Sequence, residues 1–305
     1  MNDDQAGRRV DNFVNSILGG VPRARLYQMV RRGEIRVDGS RVKPDYKLRS
    51  GESVRIPPFT QDRTAPQSGA RPGASLVRRL ASAILYEDDD LLIIDKPAGL
   101  AAHAGTGIET GLIEAMRALR PGQSLELAHR LDRATSGCIA LARSMTSLRA
   151  LQLAQREGRV DKRYIALVVG QWPAQVRRID SRLAPIRVAG GERRMQSAGD
   201  GRDATTFVSV RRRLDTATLL DIELGTGRMH QIRVHTAEAG HAVAGDEKYG
   251  RREDNARFRR HGLKRLFLHA TGLVIRLPGR TVSVQASMPA ELQAVLDAFA
   301  RPSGD

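Results

Sequence analysis

Apolar residues recur at helical spacing in the first thirty positions, then fall into short alternating or unbroken runs. Phe13, Val14, Ile17 and Leu18 predict a helix that Asp11 caps and Gly19-Gly20 stops. Leu26, Met29 and Val30 predict a second, starting near Pro22 and ending at Gly33. Glu34-Ile35-Arg36-Val37, a turn at Asp38-Gly39 and Arg41-Val42 read as a hairpin. Ser53-Val54-Arg55-Ile56 is a last strand before Pro57-Pro58. Residues 59–78 lose all periodicity and are rich in Pro, Gly and Ser, as a tether would be. The pattern resumes with strands at 83–86 and 91–94 and a helix over 110–119. Ser144 caps a helix that turns Met145, Leu148, Leu151 and Ala154 inward and ends at Gly158, and a strand follows over 161–170. Residues 171–203 read as irregular, an exposed insert carrying seven arginines. Residues 205–213 and 218–224 alternate like paired strands. Gly225-Thr226-Gly227 leads into a short helix that places His230, Arg233 and Val234 on one side and ends at Gly240. Strands at 266–269 and 273–277 and a helix from Pro289 close the chain. The pattern predicts an α+β protein with a small unit at 8–58, a linker at 59–78 and a larger domain at 79–305.

Charge narrows the partners. The chain has 50 Lys plus Arg against 34 Asp plus Glu, a net charge of +16. Such a surplus calls for a polyanion, nucleic acid before anionic membrane. Residues 8–58 alone hold 12 basic and 5 acidic side chains. Arg23, Arg25, Arg31 and Arg32 cluster on the second helix, with Arg36 and Lys43 following, and are the candidate RNA grip of this unit. Cys138 is the only cysteine, so no intramolecular disulfide forms. The first residues are polar and acidic, and no apolar run approaches a membrane span. A cytoplasmic protein is expected.

Candidate chemistry centres on His129-Arg130-Leu131-Asp132-Arg133-Ala134-Thr135-Ser136-Gly137. A carboxylate between two arginines stays ionised, which suits a nucleophile or base. A structural ion pair is the competing reading of the same residues. Pro97 and Gly99 make a turn that turns Lys96 toward a cleft, and Lys162 and Arg228 add basic charge on the same domain. His230, His235 and His241 lack the spacing of a helical zinc pair, and no Cys-x-x-Cys exists, so no metal is expected. Gly105-Thr106-Gly107 is not followed by Gly-Lys-Ser/Thr, and no Gly-x-Ser-x-Gly elbow is present.

Two resemblances organise these observations. Val21-Pro22-Arg23-Ala24-Arg25, Gly33 to Gly39 and Gly51-Glu52-Ser53-Val54 resemble the S4 RNA-binding domain, which implies two helices and short β hairpins gripping folded RNA. The stretch around Asp132 resembles the signature motif of the RluA family of RNA pseudouridine synthases. So do Asp95 to Leu100, Lys162-Arg163-Tyr164, Gly227-Arg228, His230 to His235, Gly245-Asp246, Tyr249-Gly250 and Leu268-His269-Ala270. The resemblance implies a mixed, mainly antiparallel sheet with a central cleft. It makes Asp132 the essential aspartate, Tyr164 the aromatic that stacks on the target base, and Arg233 the partner that holds the aspartate charged. Arg130 would fill the gap left by the flipped base, with His129, Lys96, Lys162 and Arg228 contacting RNA. No cofactor is implied, and the protein is expected to act as a monomer. The N-terminal unit resembles most the branch acting on large-subunit (23S) ribosomal RNA. The same chemistry on transfer RNA or another ribosomal helix, and a non-catalytic ribosome-assembly protein, are the alternatives. Met229, His103-Ala104 and Leu277-Pro278 depart from the usual pattern.

Overall fold

A computed structural model describes residues 6–18, 21, 23–58, 72–104, 110–188 and 192–300. The first unit holds α1 (Val10–Ile17) and α2 (Arg23–Arg32). Their apolar faces meet over Val10, Val14, Leu26, Met29 and Val30, which share a core with Ile35, Val37 and Leu48. Arg9, not Asp11, occupies the cap position of α1. Asp11 lies inside the first turn and accepts bonds from Arg9 and, at 3.1 Å, from the Tyr27 hydroxyl. The expected stop at Gly19-Gly20 and the expected helix start at Pro22 fall outside the described residues.

Asp38 and Gly39, both at positive φ, do make a tight turn, with Val37 and Ser40 exchanging backbone bonds of 3.0 and 2.9 Å. The ladder stops there. β1 (Arg36–Val37) pairs instead with β2 (Val54–Arg55), so residues 41–42 are not its strand partner. Pro44, which has no N–H to donate, follows two residues later and ends pairing on that side.

Part of the expected linker is helical. α3 (Ala74–Ala81) covers residues 74–78, buries Leu80 and packs Leu76 against the larger core; residues 59–71 lie outside the description. The apolar spacing of Leu76 and Leu80 gives this segment a face to bury, which the Pro/Gly composition around it disguised. Arg8 also reaches the larger domain, pairing at 3.1 Å with Glu126.

The large domain is built on one sheet. Its early elements are β3 (Ile84–Glu87), β4 (Leu91–Lys96), α4 (Leu112–Leu119), β5 (Glu126–Leu127), β6 (Ser136–Ala142), α5 (Met145–Arg156) and β7 (Val160–Val169). Then come β8 (Arg178–Arg187), β9 (Arg193–Ser197), β10 (Arg202–Arg213), β11 (Ala217–Leu224), α6 (Gln231–Glu238) and α7 (Arg252–Arg260). β12 (Leu268–Leu277), β13 (Arg280–Gln285) and α8 (Ala290–Ala300) complete it. The spatial order is β3-β4-β6-β12-β7-β11-β10-β8-β9, with β13 on β12 and β5 on β6. Every pairing is antiparallel except β6 with β12, so the sheet is mixed and mainly antiparallel.

Alternation along each strand sends residues to two cores. Leu92, Ile94, Ile139, Leu141, Ala166, Leu220 and Leu268 face the α3 and α4 side. Leu91, Ile93, Cys138 and Ala140 face α5, while Ile165, Leu167 and Leu219 meet Phe258 and α8. Because both faces are covered, β6 is buried at every position and reads as an unbroken apolar run. The Ser144 cap of α5 is present, its hydroxyl accepting from Ser147 N–H at 3.0 Å.

Three segments differ from the sequence reading. Residues 171–203 hold the β8–β9 hairpin; along β8 exposed positions, among them Arg178, Arg182 and Arg187, alternate with partly buried ones, and only Leu183 is fully buried. Residues 251–265 contain α7, strongly polar because only Asn255 and Phe258 are buried. The two expected strands at 266–269 and 273–277 are one strand, β12, interrupted by a register shift between His269 and Gly272.

Candidate active site

The loop between β5 and β6 carries Asp132, and the fold holds it from several sides. Leu131 is buried in the main core. Thr135 N–H donates to the Asp132 carbonyl at 3.1 Å, closing a turn. Gly99 N–H donates to the Arg133 carbonyl at 2.8 Å, and Arg133 Nε returns a bond to the Gly99 carbonyl at 2.9 Å. The loop then enters β6 at Gly137, beside Ala270 of β12. Gly137 has φ of 109°, and a Cβ there would overlap the Ala270 backbone, so glycine is required by two constraints at once.

Two residues expected to touch RNA are instead part of this scaffold. Lys96 is fully buried and donates to the carbonyls of Pro97 and Leu100 at 2.9 and 2.8 Å. Burial pulls its ammonium down to about 7, against the attraction of Asp132. It ties the 97–100 turn together behind the loop. His129 is half-buried, and its Nε2 accepts the Ala140 N–H at 3.0 Å. Burial, helped by the Lys162 charge, pulls its pKa down to about 3, so the ring is neutral and shapes the loop.

A third buried contact sits under the same loop. Ser136 Oγ accepts from Arg265 Nη2 at 3.0 Å, so its own proton goes to His269 Nδ1 at 2.9 Å. Burial pulls His269 down to about 4.

Opposite the loop, α6 presents Arg233. Its Nη1 lies 3.3 Å from Asp132 Oδ2, the pairing that the family resemblance implies. Its Nε and Nη2 make a closer bidentate pair with Asp246, at 2.7 and 2.8 Å. Burial opposes the Arg233 charge, but the Asp246 bonds outweigh it, with Asp132 adding, and hold the guanidinium above its usual range. Burial likewise pushes Asp246 up, yet the Arg233 bonds and the Lys248 and Tyr249 N–H groups bring it below the usual carboxylate range. One guanidinium thus serves two carboxylates, and Asp132 receives a single aligned donor.

His230 was expected on the face of the helix but precedes it, at φ of 54°. From there Nε2 comes 3.8 Å from Asp132 Oδ2 and Nδ1 is 2.8 Å from the Tyr249 hydroxyl. That hydroxyl accepts Met195 N–H at 2.9 Å, so its proton goes to Nδ1 and the imidazole proton faces Asp132. Tyr249 also lies under Arg233, with the guanidinium 5.1 Å from the ring centre. Asp246, His230 and Tyr249 had no assigned role in the sequence reading, although Gly245-Asp246 and Tyr249-Gly250 stood among the motifs.

Tyr164 projects from β7 into a cavity of about 200 Å³ together with Asp132, His129, Arg130, Lys162, Arg228 and Arg233. Burial, reinforced by Asp132, pushes its phenol above the usual range, so it rests protonated. A second cavity of about 700 Å³ shares Arg130, Asp132, His230 and Arg233 and adds Arg133, Arg259 and Lys264. Asp132 stands in the wall between a narrow, aromatic-lined space and a wide, cationic one. Met229, a departure from the usual motif, packs against the cluster formed by Leu183, Met195, Ala204 and Val234, under the β8–β9 hairpin.

The remaining basic candidates lie on the first unit. Arg25, Arg31, Arg32 and Lys43 are exposed. Arg36 is engaged with the carbonyls of Gly33 and Gly39, both at 3.1 Å, so it braces two turns rather than offering a free cation. The Arg23 side chain lies outside the described part. Arg228 Nε donates to the Asp203 carbonyl at 3.0 Å. Among the described residues, no three His, Cys, Asp or Glu side chains converge as a metal site, and no helix is long and apolar enough to cross a membrane.

The sequence profile of an RNA pseudouridylate synthase family matches residues 90–238, and that of the S4 domain matches 8–54. The ribosomal large subunit pseudouridine synthase C of Salmonella typhi is 43% identical over 299 residues, 96% of this chain and 93% of that protein. The chain belongs to the RNA pseudouridylate synthase family. The protein of the same name from Haemophilus influenzae is 42% identical to the synthase, over 97% of this chain and 92% of its own. Human RNA pseudouridylate synthase domain containing 4 shares the fold, with a TM-score of 0.61 and 23% identity over 74% of this chain and 96% of its own. Human RNA pseudouridylate synthase domain containing 1 superposes at a TM-score of 0.56 with 25% identity, over 77% and 99%. The synthase therefore acts on uridine in RNA.

Proposed function

We propose that the synthase isomerises uridines of large-subunit ribosomal RNA, with Asp132 as the reacting carboxylate. The observation that carries this is the convergence of Asp132, Arg233 and Tyr164 on one cavity of about 200 Å³. A base must leave its stack to reach such a site. The neutral Tyr164 ring offers it a face, and the exposed Arg130 guanidinium at the rim takes its place in the helix. Arg233 holds Asp132 through one hydrogen bond and aims it toward C1′. There the C1′–N1 bond breaks, the uracil turns, and a C1′–C5 bond forms; C5 loses a proton and N1 gains one. Atoms and electrons balance without a cofactor. The large-subunit target follows from relatives over 40% identical along nearly the whole chain. Residues 8–58 serve as the RNA-gripping unit, and the catalytic domain begins at α3.

Asp132→Asn keeps the shape of the side chain and removes its charge. Isomerisation should be abolished while RNA binding stays within a few-fold of wild type. Mapping pseudouridines in RNA from cells lacking the protein identifies the target. Unchanged large-subunit RNA, with loss of a modification elsewhere, would transfer the assignment to that other RNA.

A further inference from the structure

Lys162 is a buried cation without a counter-charge. It stands two residues before Tyr164 on β7, so both side chains leave the same face of the strand. It is 7% exposed and lines the small cavity. Among the described residues its ammonium has neither a hydrogen-bond acceptor nor an acid partner. Lys96 shows the contrast, since the same fold wraps that ammonium in carbonyls. Taking an unpaired ion out of water is costly. Burial alone pulls Lys162 down to about 8.

The cation sits at the mouth of the cavity. Gln155 and Gly227 beside it are exposed. A Cβ on Gly227 would stand 3.3 Å from Lys162 Nζ and 3.9 Å from Gln155 Nε2, so glycine leaves the ammonium uncovered toward the entrance. A uridine with its ring on Tyr164 and its C1′ toward Asp132 enters base first, leaving its sugar–phosphate backbone at that entrance. Phosphates are the formal charges of RNA near neutral pH, and a compact ammonium suits them. A uracil carbonyl is neutral and would leave the charge uncompensated.

We propose that Lys162 holds a phosphate of the flipped nucleotide at the mouth of the cavity. This rests on the reading of that cavity as the place of uridine isomerisation. Its role is to seat the nucleotide, and the bonds that change are left to Asp132.

The test uses the full chain, Lys162→Met and Lys162→Arg, with a large-subunit RNA fragment carrying one target uridine. The two phosphates flanking that uridine are replaced in turn by neutral methylphosphonates, and affinity and the single-turnover rate at saturating RNA are measured. Losing a charge-assisted contact should weaken binding of Lys162→Met by about 10-fold or more, with the saturating rate little changed and Lys162→Arg recovering most of the affinity. One methylphosphonate should cost the wild type as much and cost Lys162→Met nothing further. The thermal midpoint of Lys162→Met should equal or exceed that of wild type, because a bare buried charge is removed. Losses that multiply at both linkages, a lowered saturating rate with affinity intact, or a lowered midpoint each overturn the assignment. RNA that binds with the expected coupling but stays unconverted overturns the isomerisation reading and keeps the contact; converted RNA with multiplying losses does the reverse.

Discussion

At the scale of single residues, the site is a set of charges whose partners decide what they can do. Asp132 shares Arg233 with a second carboxylate, Asp246, which holds two of the three donors. Asp246 is therefore the anchor of the arginine, and Asp132 is left with a single bond from it. The buried His269 is a pH liability beneath the loop. Its pKa is about 4 in the fold against 6.5 ordinarily, so the unfolded chain takes up a proton first as pH falls. Its contribution is intact above about pH 6.5 and is lost down to about pH 4, roughly 3 kcal/mol in all. Urea unfolding between pH 7 and 4 should show this loss, and His269→Gln should make the profile shallower in that window, with the share of the buried His129 remaining. An equal pH slope in the variant would remove His269 as the cause. The Asp132–Arg233 pairing was legible only through the family resemblance, which sets the two motifs against each other. Asp246 was not, since its partner is thirteen residues away and only the turn after α6 brings them face to face. Lys96 was misread for a related reason: a lysine in a turn looks solvent-seeking until the carbonyls around it are placed.

At the scale of elements, the strands that alternate or run apolar were readable, and those that carry charge were not. β4 and β6 announce burial on both faces, and α5 announces its start through Ser144. The β8–β9 hairpin hid behind its arginines, because a sheet edge with one exposed face needs few apolar residues. α7 hid likewise, with two buried residues in nine. The element that matters most for the site is the junction of β6 with β12 at Gly137. Gly137→Ala should force the strands apart against both the backbone overlap and the positive φ. A loss of about 2 kcal/mol or more is expected, with isomerisation impaired more than RNA binding. A variant as stable and active as wild type would show that the junction yields without moving the loop.

At the scale of the whole molecule, a cationic S4 unit precedes the cleft-bearing domain, and the proposed grip on RNA by that unit can be tested apart from the chemistry. Arg31 and Arg32 are exposed at the end of α2, far in sequence from Asp132. Arg31→Glu combined with Arg32→Glu should weaken RNA binding and lower the salt slope by about one per lost phosphate contact. The single-turnover rate on saturating RNA should be unchanged. A slope equal to that of wild type would take these arginines out of the RNA interface.

The order of strands has a consequence for how the molecule comes into being. β12 lies between β6 and β7 in the sheet yet follows them by about a hundred residues in the chain. As the chain leaves the ribosome, the aspartate loop and the tyrosine strand emerge with the gap between them still empty. Pairings so distant in sequence form slowly. Strand β12, by filling that gap late, sets the moment at which Asp132 and Tyr164 first face each other. The loop and the strand thus emerge early, and their final arrangement waits on a strand made about a hundred residues later.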